Sequence, residues 1–365
     1  MRILFVASNI ECPGANGGST HVTEVVQHLR ETDDVLLIAR KDSSLPQTLA
    51  VGGPTAKKGL RQVNAARLAL QTYAEAKRFA PDVIYERASS FGLGALLGRA
   101  LSVPTLCMVL DVHRTRLSLR TASRIIATRE DVVPERYRNK LRLTRWGANT
   151  RMFHPGLDGS ALRARLGIPA DKQVVAYTGA FYTWHGLEEL VAAADALREL
   201  SVVFLLVGDG ERHSAIRELV EKAGLTDRFV FTGRVPYNEV PQYIALCDVY
   251  AAPYNPSRHK YAGESKEFVY DPLKLFESMA CGKAVVTVRS QNIEAMFEDG
   301  RELLLVEPGN AQDLASKLRT LLADAALRTR LGTAARAAVE AKFSWQAHVE
   351  QLRGLFAEMI AERAR

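Results

Sequence analysis

Two successive series of short apolar runs, each followed by a stretch with helical periodicity, constrain this chain more than any other feature. In the first series RILFVAS (Arg2 to Ser8), DVLLIA (Asp34 to Ala39), DVIYER (Asp82 to Arg87), PTLCMVLDVH from Pro104 and SRIIAT from Ser123 read as strands. Between them lie a helix with Val22, Val25, Val26 and Leu29 on one face, a variable loop, a helical pattern from Gly59 to Phe79, and a Gly- and Ala-rich helix to Leu101. Only about a dozen residues separate the last two runs, which leaves little space for a helix. KLRLTRWGANTRMFHPG, Lys140 to Gly156, reads as a final strand entering a linker. The second series comprises QVVAYTGAF (Gln173 to Phe181), VVFLLVGDG (Val202 to Gly210), FVFTG (Phe229 to Gly233), DVYAAPY, AVVTV (Ala284 to Val288) and ELLLVEPGN, with helices from Gly186, over Val240 to Leu246, and through the remainder. Gly332 and Phe343-Ser344 are expected to interrupt the last helices. The fold class predicted is α/β, with two Rossmann-like doubly wound domains facing each other across a cleft. The boundaries place residues 1–155 in the first domain and 156–342 in the second, with a C-terminal helix over 343–365 packing back toward the first.

Length and charge narrow the function. At 365 residues the chain exceeds one typical core, and 47% hydrophobic with 24% charged residues describes a soluble globular protein. MRILFVASNIECPG lacks the apolar length of a secretory signal, and no run approaches the roughly 18 to 20 apolar residues that span a bilayer. Cys12, Cys107, Cys247 and Cys281 are scattered without ligand-type spacing, so neither a disulfide framework nor a zinc site is expected and a reducing cytoplasm fits. The net charge of +7 concentrates between Asp111 and Arg151, where eleven bases face four acids. Such a segment suits anionic lipid headgroups or a phosphorylated acceptor. No zinc-finger spacing, aromatic RNA-binding signature or basic repeat accompanies it, and nucleic acid is not an expected partner.

Candidate site residues cluster at predicted strand ends. From Glu264 to Val286 a loop with acids, a lysine and two aromatics runs into Pro272 and then a short helix carrying Lys274 and Glu277, three apart on one face. Pro272 suits the first helical position, where free N–H groups can meet an anion; an amphipathic helix burying Leu275, Phe276 and Met279 has the same spacing. PGANGGST follows the first strand and opens a helix, so Gly17 and Gly18 let backbone N–H groups approach a ligand, or simply make a tight turn. The spacing is not G-x-G-x-x-G and no acid ends the second strand as a ribose ligand, which disfavours a nicotinamide dehydrogenase. In TGAFYTWHG, Gly179 and Gly186 allow close approach while Trp184 and His185 pack or hydrogen-bond at a sugar diphosphate; a structural histidine is equally compatible. Gly208 and Gly210 form a turn of the same kind, in which Asp209 also suits a helix cap. The turn from Gly233 to Pro236 can hold a flat base against Arg234 and Val235. His113 follows a first-domain strand and would enter the cleft, as would Asp111, and capping or ion pairing fits either.

These motifs, in this order, make the chain resemble the retaining nucleotide-sugar glycosyltransferases of family four, which have the GT-B fold. The carrying residues are TGAFYTWHGLEELVAAA, VVFLLVGDGE, RFVFTGRVPYNEVPQYIALCDVYAAPY, PLKLFESMACGKAVV and LLLVEPGNAQDLASKL, with PGANGGSTHVTEV, PDVIYERAS and WGANTRMFHPG in the first half. The resemblance implies a first domain on the acceptor side and a second that binds a nucleoside-diphosphate sugar of UDP or GDP type. It implies that Gly233 to Val235 hold the base, Glu277 the ribose hydroxyls, and Lys274 with the backbone from Pro272 through Leu273 to Leu275 the diphosphate. Gly17 and Gly18 would approach the leaving phosphate from the opposite wall. His113, Lys274 and Glu277 are the catalytic candidates. No cofactor and no metal are expected, since no Asp-x-Asp motif is present. The expected enzyme is cytoplasmic, with a glycan, lipid or small-molecule acceptor and peripheral contact at the inner face of the membrane.

The chain departs from the family pattern in three places. Val269 stands eight before Glu277, where the family has its first glutamate, leaving Glu264 or Glu267 as substitutes. Ala180 and His185 stand where arginine and lysine are usual, so Arg234, Lys274 or the basic loop around Arg258 and Lys260 must compensate. The span after His113 is shorter than usual, and an alternative register puts Leu110 at the histidine's place. Competing readings are, from a different class, a nucleotide-sugar-binding protein of weak or no turnover and, third, an epimerase or phosphorylase of the same fold.

Overall fold

A computed structural model of the chain describes residues 1–14, 16–52, 60–110, 116–259 and 271–363. It divides into two units, Met1–Trp146 with Trp345–Arg365, and Gly147–Ser344. Unit 1 runs β1 (Arg2–Ala7), α1 (Gly17–Leu29), β2 (Asp34–Arg40), β3 (Thr48–Val51), α2 (Arg61–Phe79), β4 (Val83–Arg87), α3 (Leu93–Leu101), β5 (Thr105–Val109), α4 (Arg116–Thr121), β6 (Arg124–Ala127) and β7 (Leu141–Leu143). Its strands form one sheet in the order β3-β2-β1-β4-β5-β6-β7. All pairs are parallel, with Leu4 of β1 in register with Leu36 of β2 and Ile84 of β4. The winding reverses between β1 and β4, which makes that junction the switch point of a doubly wound sheet.

Unit 2 repeats the plan with α5 (Ser160–Arg165), β8 (Gln173–Thr178), α6 (Leu187–Asp195), β9 (Val202–Val207), α7 (His213–Lys222), β10 (Phe229–Gly233), α8 (Val240–Ala245), β11 (Val249–Ala252), α9 (Leu273–Ala280), β12 (Ala284–Val288), α10 (Gln291–Glu294), β13 (Leu304–Val306), α11 (Ala311–Ala323) and α12 (Ala325–Lys342). Its sheet is parallel in the order β10-β9-β8-β11-β12-β13, so the winding reverses between β8 and β11. The last helix, α13 (Trp345–Arg363), belongs to unit 1 and packs on α1 and β4. The expected fold class, two Rossmann-like parallel-sheet units, is the one observed.

Local departures have simple causes. The loop after Ala39 holds an extra edge strand, β3, a short TLAV segment in which only Val51 is buried. The short gap before Ser123 accommodates the six-residue α4. Gly332 does not interrupt a helix; it lies inside α12, where a Cβ would sit 2.0 Å from the Gly282 carbonyl oxygen, so its role is close packing. Pro272 is the N-cap of α9 rather than its first helical residue. Among the described residues no helix is long and apolar enough to cross a membrane.

Candidate functional site

The switch point of unit 2 gathers most of the residues singled out in that half. A sheet wound both ways leaves a crevice at the carboxyl ends of the two central strands. Here those ends are Thr178 to Phe181 after β8 and Pro253 to Asn255 after β11. Three glycine turns are laced together by backbone bonds: the Gly179 N–H donates to the Val207 carbonyl (2.8 Å), Phe181 to Asp209 (3.0 Å) and Gly208 to Gly233 (2.9 Å). Gly208 has φ +135°, and a Cβ there would lie 2.0 Å from the Gly179 oxygen. Gly208 is thus required by its neighbouring loop, and ligand approach is not what demands it. Gly233 has φ +70° with open space where a Cβ would sit. Asp209 accepts from the Gly210 N–H at 2.7 Å and does not cap α7.

Lys274 enters this crevice from the first turn of α9. Its ammonium donates to the Tyr177 hydroxyl at 2.7 Å and lies over the Tyr177 ring (4.1 Å) and the Tyr254 ring (5.3 Å). Burial pulls the Lys274 ammonium down to about 7, opposed by the charge of Glu277 one turn on. A Cβ on Gly179 would meet the Lys274 Nζ at 2.8 Å, so this glycine gives the lysine its room. The Tyr177 hydroxyl also lies 2.7 Å from the Ala180 carbonyl and 2.7 Å from His185 Nδ1. His185 is buried, and its Nδ1 also bonds the Ala180 carbonyl. Burial and then Lys274 hold it well below the ordinary imidazole value, hence neutral. His185 therefore orders the Gly179 to Gly186 loop from within. Trp184 stacks on Tyr254 at 5.8 Å.

At the start of α9, Leu275 N–H donates to the Pro272 carbonyl at 2.8 Å and the Leu275 side chain is core. Among the described residues the N–H groups of Leu273 and Lys274 have no acceptor, and the helix dipole makes that end favourable to negative charge. Glu277 is buried and accepts from the Tyr237 hydroxyl at 2.9 Å, which ties α9 to the turn that begins at Gly233. Arg234 is exposed and Val235 half-buried in that turn. Of the cations considered as compensators, Arg258 pairs with Glu188 (3.2 Å) and Glu189 (2.9 Å), so its charge is already matched. Lys274 and Arg234 remain. His113, Asp111, Lys260, Glu264, Glu267 and Val269 lie outside the described residues.

In unit 1, Gly17 and Gly18 are the first two residues of α1, whose N-cap Asn16 accepts from the Ser19 N–H at 3.0 Å. Arg87, buried at the end of β4, donates to the Gly18 carbonyl at 3.2 Å and lies 3.1 Å from His21 Nδ1. Burial brings Arg87 down to about 10, and His21, buried beside it, is held well below its ordinary value. Sequence reasoning missed Arg87, Tyr177, Tyr237 and Tyr254. Two charged residues, Glu86 and Arg87, ending an otherwise apolar strand were the available signal for Arg87; the tyrosines carried none, because Tyr177 in a buried strand looks like core and Tyr237 and Tyr254 stand in connecting segments with no motif of their own.

The glycines give a direct test of the loop geometry. Gly208→Ala forces backbone apart and costs about 3 kcal/mol or more, a fall of about 6–12 °C in melting temperature for a unit of this size. Gly233→Ala meets only the left-handed backbone penalty of about 1–2 kcal/mol. Equal losses in the two variants would contradict the packing described.

Comparison with known proteins places this geometry. Residues 159–338 match the family model described as glycosyl transferases group 1. The chain is similar to sulfoquinovosyl transferase SQD2 of Arabidopsis thaliana, 27% identical over 377 residues, covering 93% of this chain and 70% of that protein. It is also similar to alpha-D-kanosaminyltransferase of Streptomyces kanamyceticus, 28% identical over 200 residues, covering 54% of this chain but only 48% of that relative. Among solved structures, Anabaena HepE in complex with UDP superposes with a TM-score of 0.77 at 21% identity, covering 98% of this chain and 100% of that one. That identity carries the fold alone.

Proposed function

We propose, from the premise that this chain belongs through residues 159–338 to the glycosyl transferases group 1 family, that it transfers a sugar from a nucleoside-diphosphate sugar to an acceptor hydroxyl with retention at the anomeric carbon. The observation that carries the reading is Lys274, which among the described residues is in no ion pair within 4 Å and has Glu277 one turn away as its opposing charge, set beside the free N–H groups of Leu273 and Lys274 at the head of α9. Such a pocket suits a diphosphate, whose charge grows as the sugar leaves. Glu277, three residues on and fixed by Tyr237, suits the ribose hydroxyls, and the open space at Gly233 suits the base. UDP is the favoured nucleotide, supported by HepE, whose structure holds UDP. The leaving diphosphate oxygen serves as base to the acceptor hydroxyl on the face it vacates, through an oxocarbenium-like transition state. The charge comes from the chain's own groups, so no metal is required and chelator leaves the rate unchanged. The acceptor is a glycan, lipid or small molecule.

A thermal-shift screen with UDP-, GDP-, ADP- and dTDP-sugars tests the donor reading. A ligand at a hundred times its Kd stabilises by about 2.7 kcal/mol, which for unit 2 is a rise of about 5–10 °C. UDP-sugars are expected to give that rise, and silence across the panel would sink the proposal. One observation favours weak turnover as a second reading: Arg258 is taken up by Glu188 and Glu189. Tight donor binding with no transfer to any acceptor would select it.

A further inference from the structure

The loop between β8 and α6 carries more aromatic surface than its part in the Lys274 crevice uses. Tyr182, Trp184 and Tyr254 have nearly parallel ring planes: Tyr182 and Trp184 differ by 12° with centroids 6.5 Å apart, Trp184 and Tyr254 by 18° at 5.8 Å. His185 and His259 stand edge-on to the Trp184 ring, at 4.1 and 4.6 Å. With the bond from the Asn255 N–H to the Trp184 carbonyl (2.9 Å), these contacts hold the indole in one orientation. Tyr254 is core, Trp184 is half-buried and Tyr182 is 43% exposed. Tyr182 is the one exposed aromatic side chain among the described residues. The backbone asks nothing of that side chain, since φ is −99°, ψ is 158° and the carbonyl alone accepts from the His185 N–H at 3.0 Å.

A single exposed apolar side chain needs no explanation. Tyr182 is not single: it is the outer end of a series of rings that begins at Tyr254, over which the Lys274 Nζ lies at 5.3 Å. It also lies 5.4 Å from His185, the residue that orders the crevice loop from within. The rings therefore stand at the lip of the crevice that holds Lys274. Polar groups rim them. Asp209, exposed, has its carbonyl bonded by the Phe181 N–H at 3.0 Å, and Ser257, exposed, lies two residues past Asn255. The Arg212 N–H donates to the Phe181 carbonyl at 3.0 Å, and its guanidinium pairs with Glu188 at 2.8 Å. An apolar body with a few convergent polar groups is the make-up of a small-molecule subsite.

We infer that Tyr182 and Trp184 form a platform for a pyranose ring, which lies on them by its C–H face and turns its hydroxyls to the Asp209 and Ser257 rim. One face of a pyranose is a patch of apolar, weakly positive C–H groups, and an aromatic face is apolar and weakly negative, so the two stack. A lipid chain would require a continuous apolar groove, and here the rings are bounded by Asp209, Glu188 and Arg212. The inference rests on the reading of Lys274 as the diphosphate group and names the chemistry beside it. Two sources supply such a ring, the sugar of the donor and a saccharide acceptor, and the contact has the same chemistry for both.

The test is titration of the full chain with UDP, with UDP-glucose, UDP-galactose and UDP-N-acetylglucosamine, and with maltose and lactose in the presence and absence of UDP. Calorimetry reads affinity and tryptophan emission reads the platform. Of the chain's three tryptophans, Trp146 and Trp345 are buried in unit 1, so Trp184 is the indole that a ligand on unit 2 perturbs directly. If the ring is the donor's, Tyr182→Ser lowers the affinity of a UDP-sugar about fivefold or more and leaves that of UDP unchanged. If it is the acceptor's, the same variant abolishes the emission change that a disaccharide produces. Tyr182→Phe keeps the ring and behaves as the parent in both arms, and Tyr182→Ser, at an exposed position, keeps the parent melting temperature. Either arm supports the inference and assigns the source. Equal losses for UDP and the UDP-sugars overturn it, because the base is then what stacks, and so does a Tyr182→Ser variant that matches the parent throughout. Should the parent bind neither UDP nor any UDP-sugar, the diphosphate reading is what fails; the disaccharide arm then decides the platform, a response lost in Tyr182→Ser supporting it and no response overturning it.

Discussion

Lys274→Met lowers kcat/KM for the donor sugar about 10²- to 10³-fold, the range expected when one preorganised group that stabilises developing charge is removed. Its melting temperature stays level or rises. The reason is the setting of the ammonium: Tyr177 faces it from β8, Tyr254 from the segment after β11, His185 from the loop, and Glu277 from its own helix. Tyr177 and Tyr254 are pushed well above the ordinary phenol value by burial, and His185 is neutral, so Glu277 supplies the opposing charge. Methionine keeps the apolar stem and removes the desolvated charge.

The same setting fixes a pH dependence. The folded-state value of Lys274, about 7, lies below the value of about 10.4 in the unfolded chain. The unfolded chain therefore binds more protons between those limits, and stability rises with pH across them in the parent but not in Lys274→Met. Donor binding has the opposite slope. A bound diphosphate restores the ammonium, so affinity weakens by up to about tenfold per pH unit above the unliganded value. Calorimetry from about pH 6 to about pH 9, in buffers of differing ionisation enthalpy, reads the proton taken up. A donor Kd that ignores pH in the parent would remove Lys274 from the diphosphate.

What could be read from the residues and what could not divide along physical lines. Strands such as Arg2–Ala7, buried on both faces after their first residue, are continuous apolar runs and declare themselves. β3 has one buried residue in four, and nothing in TLAV distinguishes it from a loop. Lys274 and Glu277 were visible because one helical turn relates them. The partners that set their chemistry were not, since Tyr177 lies 97 residues from Lys274 and Tyr237 lies 40 from Glu277. Arg258 misled for the same reason: a basic residue in a loop looks available until the fold brings Glu188 and Glu189 to it. Gly208 pointed to the right place for another reason, because its missing side chain makes room for a neighbouring loop.

Glu277→Ala is expected to weaken donor binding about 10- to 100-fold, the range for losing hydrogen bonds to a charged acceptor. The fold suffers less. Tyr237, half-buried, loses the 2.9 Å bond to Glu277 but retains access to water, which limits the loss to about 1 kcal/mol, or about 2–4 °C. Tyr237→Phe leaves the carboxylate in place without its orienting hydroxyl and gives a smaller loss of affinity. A further readout separates a site carboxylate from a core one. Glu277 is the group that raises the Lys274 ammonium against burial. Its removal lowers that lysine further, so the pH at which donor affinity begins to fall moves below the parent's. Glu277→Gln, similar in shape but uncharged, produces the same displacement with less damage to the Tyr237 contact. An unchanged donor Kd and an unmoved pH profile, together with a large drop in melting temperature, would make α9 an ordinary amphipathic helix whose acid merely holds Tyr237.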